Sequence, residues 1–134
     1  MNSKTLTKTL ILGLLIIIIS PLAMSHSNHG SDANVRAMAS MLANMQHFPS
    51  EADKSKLQEI LDLESSTDNE KTLASAIMRI EHQSNPDDAL SLDSIIESET
   101  ASGSVINIAI VIKNFSHGVS EADKRKLQLI NFKG

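Results

Sequence analysis

The sequence predicts an all-α protein built from three tandem 35-residue αα-hairpin repeats. The first observation is a duplication, since nine of the eleven residues from Ser50 to Ile60 recur unchanged from Ser120 to Ile130. The second is that a shift of 35 residues, half the distance between those copies, places a weaker third copy between them. The third is that each copy carries apolar residues at helical spacing. The repeats occupy residues 34–68, 69–103 and 104–134.

Five alignment columns are identical in all three copies, and the alignment needs no gaps. They are Ala39, Ala74 and Ala109; His47, His82 and His117; Asp53, Asp88 and Asp123; Leu57, Leu92 and Leu127; and Ile60, Ile95 and Ile130.

The first helix of each copy is predicted from its apolar face. Met38, Leu42 and Met45 are separated by steps of four and three, which places them on one side of a helix. In the third copy the run SVINIAIVIKNF, from Ser104, is rich in β-branched residues and alone would suggest a strand. Its alignment with two convincing helices predicts a helix instead.

The second helix of each copy is predicted from its N-cap. Ser50, Asn85 and Ser120 can each accept a hydrogen bond from a free backbone N–H, and Pro86 follows at a favourable first helical position. Only two residues separate His47 from Ser50, which predicts that the two helices are antiparallel. Three such hairpins can stack as a short solenoid or close into a six-helix bundle.

The first 25 residues have the pattern of a cleavable signal peptide. Lys4 and Lys8 precede an apolar run, and small residues lie near Ser25. We therefore expect a periplasmic or secreted protein in which residues 26–33 form a disordered polar tail. The alternative is that residues 9–24 remain uncleaved and form an inner-membrane anchor. We expect the protein to associate with a membrane only in that case.

Composition excludes several classes of function. Removing Lys4 and Lys8 leaves ten of the 12 Lys and Arg against 16 Asp and Glu, a net charge of −6, which disfavours nucleic-acid binding. The chain has no Cys, and no catalytic constellation is visible, so we expect neither an enzyme nor a cofactor. Residues 59–99 are strongly acidic and residues 104–134 are basic, which would suit head-to-tail self-association.

The recurring His column has two interpretations. Each His ends a first helix, and each Asp begins the second helix across the same short turn, so a His–Asp clasp across each turn is the expected structural role. The alternative is a metal site. Because stacked helices lie about 8–10 Å apart, the three His could share an ion only in a closed bundle with approximate threefold symmetry.

Two further metal sites are conceivable. Met38, Met41 and Met45 resemble soft ligands for cuprous copper, but their columns are apolar in the other copies and predict core positions. A terminus beginning at His26, with His29 nearby, could chelate copper or nickel, although a polar tail is the expected state.

The expected function is therefore that of an exported helical-repeat module that binds an unknown protein partner or itself. The alternative is a periplasmic metal-handling protein that uses copper, nickel or zinc through its N-terminal or repeat histidines.

Overall fold

A computed structural model describes residues 29–132, and in that range every regular element is a helix, with no strand. This confirms the predicted all-α class, including the helix predicted for the β-branched run after Ser104. The short 3₁₀ turn Pro86–Asp88 leads into the fourth helix. The six helices are α1 His29–Asn44, α2 Glu51–Asp62, α3 Asp68–Met78, α4 Ala89–Ile96, α5 Gly103–Lys113 and α6 Glu121–Asn131.

The second helical segment of each repeat, which leads into α2, α4 or α6, begins where a side-chain oxygen accepts a hydrogen bond from a free backbone N–H. The Ser50 and Ser120 hydroxyls each accept from the backbone N–H three residues later, at 3.1 Å. The Asn85 side chain accepts from the Asp87 N–H at 3.0 Å, and Pro86 occupies the first position of the turn. Each cap removes one unpaired donor at a helix start, which fixes where the loop ends.

The helices pack in a pattern that differs from the expected hairpins. Helices α1, α3 and α5 contact one another, whereas α2 lies mainly against α3, α4 against α5, and α6 against α1. Helices α1 and α2, the pair predicted to form the first hairpin, do contact each other, but each packs more extensively against another helix. The backbone of the joint from 45 to 50 forms a bridge with a neighbouring joint, between Gln46 and Gly118.

The core is built from the columns that the sequence marked as apolar. The inner helices contribute fully buried side chains, and the flanking helices contribute their recurring Leu and Ile. Met38 and Met45 are buried among them, and Met41 packs against the same cluster, so these Met residues fill the core. The fully buried inner residues include Met38, Leu42, Leu73, Ile77, Ile108 and Ile112.

The first helix begins earlier than the predicted end of the polar tail at residue 33. Helix α1 begins at His29, so residues 29–33 are helical rather than part of a disordered tail. Asp32 lies in the first turn, where a negative charge favours the helix. The proposed signal segment, residues 1–25, and His26 lie outside the described residues.

Candidate functional site

Three joints meet at one end of the molecule, and each contains one His of the recurring column. The joints are residues 45–50, 80–85 and 115–120, and each leads from an inner helix to the next element. Met45, Ile80 and Phe115 begin the joints and are buried, so they hold each joint to the core. Two residues further on, the His side chains are exposed. We call these three residues, His47, His82 and His117, the His triad.

A closed ring of backbone hydrogen bonds connects the triad. The His82 N–H donates to the His47 carbonyl at 2.6 Å, and the His47 N–H donates to the His117 carbonyl at 3.3 Å. The His117 N–H donates to the His82 carbonyl and closes the ring. Because every triad residue donates once and accepts once, the three Cα atoms are held close together independently of their side chains.

The triad backbone adopts a conformation that favours glycine. The φ angles of His47, His82 and His117 are 63°, 63° and 59°, and these are the only non-glycine residues with positive φ between His29 and Phe132. A residue with a Cβ atom loses about 1–2 kcal/mol in this left-handed region. Such strain often marks functional sites. A purely structural turn would be satisfied more cheaply by Gly or Asn.

The three imidazole rings face one another. The ring centroids of His47 and His82 are 5.1 Å apart, those of His82 and His117 are 5.7 Å apart, and those of His47 and His117 are 5.8 Å apart. The Nδ1 atoms of His47 and His82 are separated by 3.3 Å. The Nδ1 of His117 instead lies 3.3 Å from the Ser116 hydroxyl.

These distances can be compared with those of a metal site. Zn–N bonds of 2.0–2.1 Å at a tetrahedral angle place two ligand nitrogens about 3.3 Å apart. The His47–His82 pair already has this separation. The third ring does not complete the set, and no group of three ligating side chains among residues 32–132 is poised around one point.

The recurring Asp column does not contact the triad, so the expected His–Asp clasp is wrong. Asp53 accepts from the Ser50 backbone N–H at 3.1 Å and from its hydroxyl at 2.7 Å. Asp88 is buried and pairs with Arg79. The physical reason is that Asp53 is engaged at the start of α2 and Asp88 with Arg79, whereas the ring of backbone bonds brings the three His residues close to one another.

Asp123 is the third member of that column and forms a local ion pair. It accepts from Lys126 at 2.8 Å and from the Ser120 hydroxyl at 2.8 Å. These two hydrogen bonds, with Lys126 the larger cause, hold the pKa of Asp123 below its usual range. On the same helix, the hydrogen bond from Lys124 lowers the pKa of the exposed Glu121. Both effects stabilise the first turn of α6 and lie outside the triad.

The backbone of His29 is separate from the triad. His29 is the first residue of α1, whose 16 residues span about 24 Å before the joint that carries His47. His29 therefore belongs to the opposite end of α1.

The convergence of the triad could not be read from the sequence, but one signal was present. Each His follows the end of an inner helix by a few residues, where Gly or Asn usually supplies the left-handed turn. The same His, rather than Gly or Asn, at the equivalent position of all three joints was the available hint that a side chain at this position matters.

None of the helices between His29 and Asn131 combines the length and the apolar character that crossing a membrane requires. Comparison of the chain with protein-family models, with curated proteins and with solved structures gives no match.

Proposed function

We propose that the protein binds one first-row transition-metal ion, zinc or copper, through the His triad. The observation that carries this proposal is the mutual approach of three exposed imidazoles, with ring centroids 5.1–5.8 Å apart. Imidazole nitrogen is a preferred ligand of both ions, and three His ligands are sufficient for a stable site. The proposed role is binding or carrying an ion, without catalysis.

The proposal includes an arrangement of the chain. The three 35-residue repeats would close into a six-helix bundle with an approximate threefold axis, and the triad would lie on that axis. The contacts of α6 with α1 and the ring of backbone bonds among the joints support closure. An open solenoid would separate equivalent His residues by a full helix spacing of about 8–10 Å.

Two properties of the triad favour a ligand over a structural role. The imidazoles are exposed, so their interactions with one another contribute little to the core. The backbone strain at all three positions is retained although Gly would relieve it. A bound ion would offset that strain, because ligand binding to the folded state alone stabilises it.

The test is metal binding by the exported chain purified without a His tag. Calorimetric titration with zinc and, separately, with cupric ion should give one ion per chain in the wild type. The triple variant H47N/H82N/H117N should lose that binding, and Asn is chosen because it tolerates positive φ. The double variant H26N/H29N is the matched control and should bind normally. Binding that survives in the triad variant and disappears in the control would overturn the proposal.

A second function, association with a protein partner or with itself, is favoured by exposed apolar side chains. Leu90, Leu129 and Phe132 are 84%, 61% and 82% exposed, and Leu129 and Phe132 lie three residues apart at the end of α6. Sedimentation equilibrium of the wild type and of L129S/F132S tests this function. A monomeric wild type at all concentrations would remove the self-association form of the proposal.

Export remains part of the proposal and is supported by the pattern of the first 25 residues. N-terminal sequencing of the protein from the periplasmic or secreted fraction should begin at His26 or within a few residues. Recovery of intact Met1 in the membrane fraction would instead support an anchor formed by residues 9–24.

A further inference from the structure

We infer that copies of the chain associate head to tail, with the exposed face of α4 on one copy docked against the exposed face of α6 on the next. Self-association is the second proposed function, on which this inference rests, and the two faces specify how it occurs. They lie at equivalent positions of the second and third repeats, so the repeats can be compared residue by residue.

The α6 face combines a positive charge with two large apolar side chains. Arg125, Leu129 and Phe132 follow one another in steps of four and three, which places them on one side of the helix. All three are exposed, Leu129 at 61% and Phe132 at 82%. None of the salt bridges among residues 32–132 includes Arg125, so its charge is not paired within that part of the chain.

The α4 face has the opposite charge. Leu90, Ser94 and Glu97 each lie 35 residues before their counterparts on α6, and all three are exposed, with Leu90 at 84%. Glu97 is the C-cap of α4 and is likewise absent from the salt bridges of residues 32–132. The acid and the leucine of this face therefore complement the base and the apolar side chains of the α6 face.

Helix α2 shows that the fold does not require apolar residues at these positions. Its equivalent residues are Ser55, Glu59 and Asp62, which are hydrophilic and exposed. The core-facing columns, by contrast, keep Leu and Ile in all three repeats, as at Leu57 and Ile60. The apolar residues on the outer faces of α4 and α6 are therefore available for a contact outside the chain.

The two faces match when the helices lie antiparallel. Leu90 and Glu97 are seven residues apart, and so are Arg125 and Phe132. Because seven residues of helix rise about 10 Å, an antiparallel pair that places Leu90 opposite Phe132 also brings the Glu97 carboxylate opposite the guanidinium. A parallel pair would place each charge opposite an apolar side chain. Charge and apolar contact therefore favour the same orientation.

The two faces meet only between copies, and the contact does not close on itself in a dimer. Within one chain α4 packs mainly against α5 and α6 packs mainly against α1, and both faces remain exposed. Because the two faces differ, the contact is heterologous, and a dimer retains one unoccupied face of each kind. Assembly therefore continues beyond the dimer as the protein concentration rises.

The experiment is sedimentation equilibrium of the exported chain over a range of concentrations, with a chelator present so that no metal bridges two copies. The wild type should form oligomers larger than a dimer. E97R and R125E should each weaken association about fivefold, because each reversal brings like charges together. The double variant E97R/R125E should recover the association of the wild type, because opposite charges meet again.

The apolar part of the contact is tested by L90S, with L63S as the matched control. Leu63 is 44% exposed and belongs to neither face. L90S should weaken association about tenfold, because a leucine side chain loses its burial in the contact. L63S should leave association unchanged. Circular dichroism checks that every variant retains the helical fold.

Each failure has a different meaning. A wild type that stays monomeric at all concentrations refutes self-association itself. If the wild type associates but neither charge reversal weakens it, the contact between α4 and α6 is refuted while self-association stands. If L129S/F132S abolishes association and L90S does not weaken it, α6 pairs with itself and the head-to-tail contact is wrong. Failure of the double variant to recover association refutes the antiparallel alignment.

Discussion

Replacing His82 by Gly should make the metal-free protein more stable than replacing it by Ala. His82 has a φ of 63°, and its backbone N–H and carbonyl both take part in the ring that connects the three joints. Glycine and alanine both remove the imidazole, so the comparison isolates the effect of the Cβ atom on the backbone. Alanine retains that atom and therefore retains the strain of the left-handed conformation.

The expected difference follows from two opposing terms. Relief of the left-handed strain favours Gly by about 1–2 kcal/mol. The greater freedom of Gly in the unfolded chain costs about 0.5–1 kcal/mol. The net advantage of Gly over Ala is then about 1 kcal/mol, which corresponds to roughly 4–8 °C in melting temperature for a domain of this size.

The assay is urea unfolding followed by circular dichroism, first with a chelator and then with zinc in excess. With the chelator, H82G should be the more stable of the two variants and close to or above the wild type. With zinc, the wild type alone should gain stability, because both variants lack one ligand. Equal stability of H82G and H82A would show that the joint relaxes without strain. A zinc effect retained by both would show that the ion binds elsewhere.

Three further outcomes follow from the fold. Ser120→Ala should lower the free energy of unfolding by about 0.5–2 kcal/mol in urea denaturation, because it removes the N-cap of α6. Asp123→Asn should destabilise the protein at pH 7. Because Lys126 lowers the pKa of Asp123, the stabilising effect of the Asp123 carboxylate is present above about pH 4 and is lost as the pH falls through its folded pKa. The unfolding free energies of the wild type and the variant should therefore converge in acid. Leu73→Ala should cost about 2–5 kcal/mol because that side chain is fully buried, whereas the matched control Leu90→Ala, 84% exposed, should change the unfolding free energy by less than about 0.5 kcal/mol.

The helices were predictable because their signals are local. A Ser or Asn cap acts within three residues, and an apolar face repeats within two turns, so Ser50, Asn85 and Ser120 could be placed from sequence alone. The run after Ser104 was more difficult, since its β-branched residues favour a strand locally. Comparison with the other copies resolved it, because burial on several sides explains the same composition in helix α5.

The choice of packing partners could not be predicted from the connections. The joint at 45–50 and the linker between Asp62 and Asp68 are of similar length, so neither identifies the preferred neighbour of α2. The fold also contains long-range contacts at the end of the molecule, where Gln46 pairs with Gly118, which is far from it in the chain. Such contacts leave no periodic pattern in the sequence.

The position of the triad depends on those same long-range contacts. The distance argument against a shared ion holds for stacked helices, in which equivalent residues are separated by the full spacing between neighbours. Once α6 lies against α1, the three joints approach one another, and the ring of N–H···O bonds brings the Cα atoms closer together than helix packing alone would.

Strain and closure together connect the architecture to the proposed function. Three left-handed His residues cost roughly 3–6 kcal/mol, a large fraction of the 5–15 kcal/mol that stabilises a typical domain. The backbone ring needs only an N–H and a carbonyl at each position, which Gly would also supply. The imidazole is therefore the one part of these residues that the fold does not require. All three imidazoles are exposed and their ring centroids lie 5.1–5.8 Å apart, which is the arrangement that the proposed metal function would use.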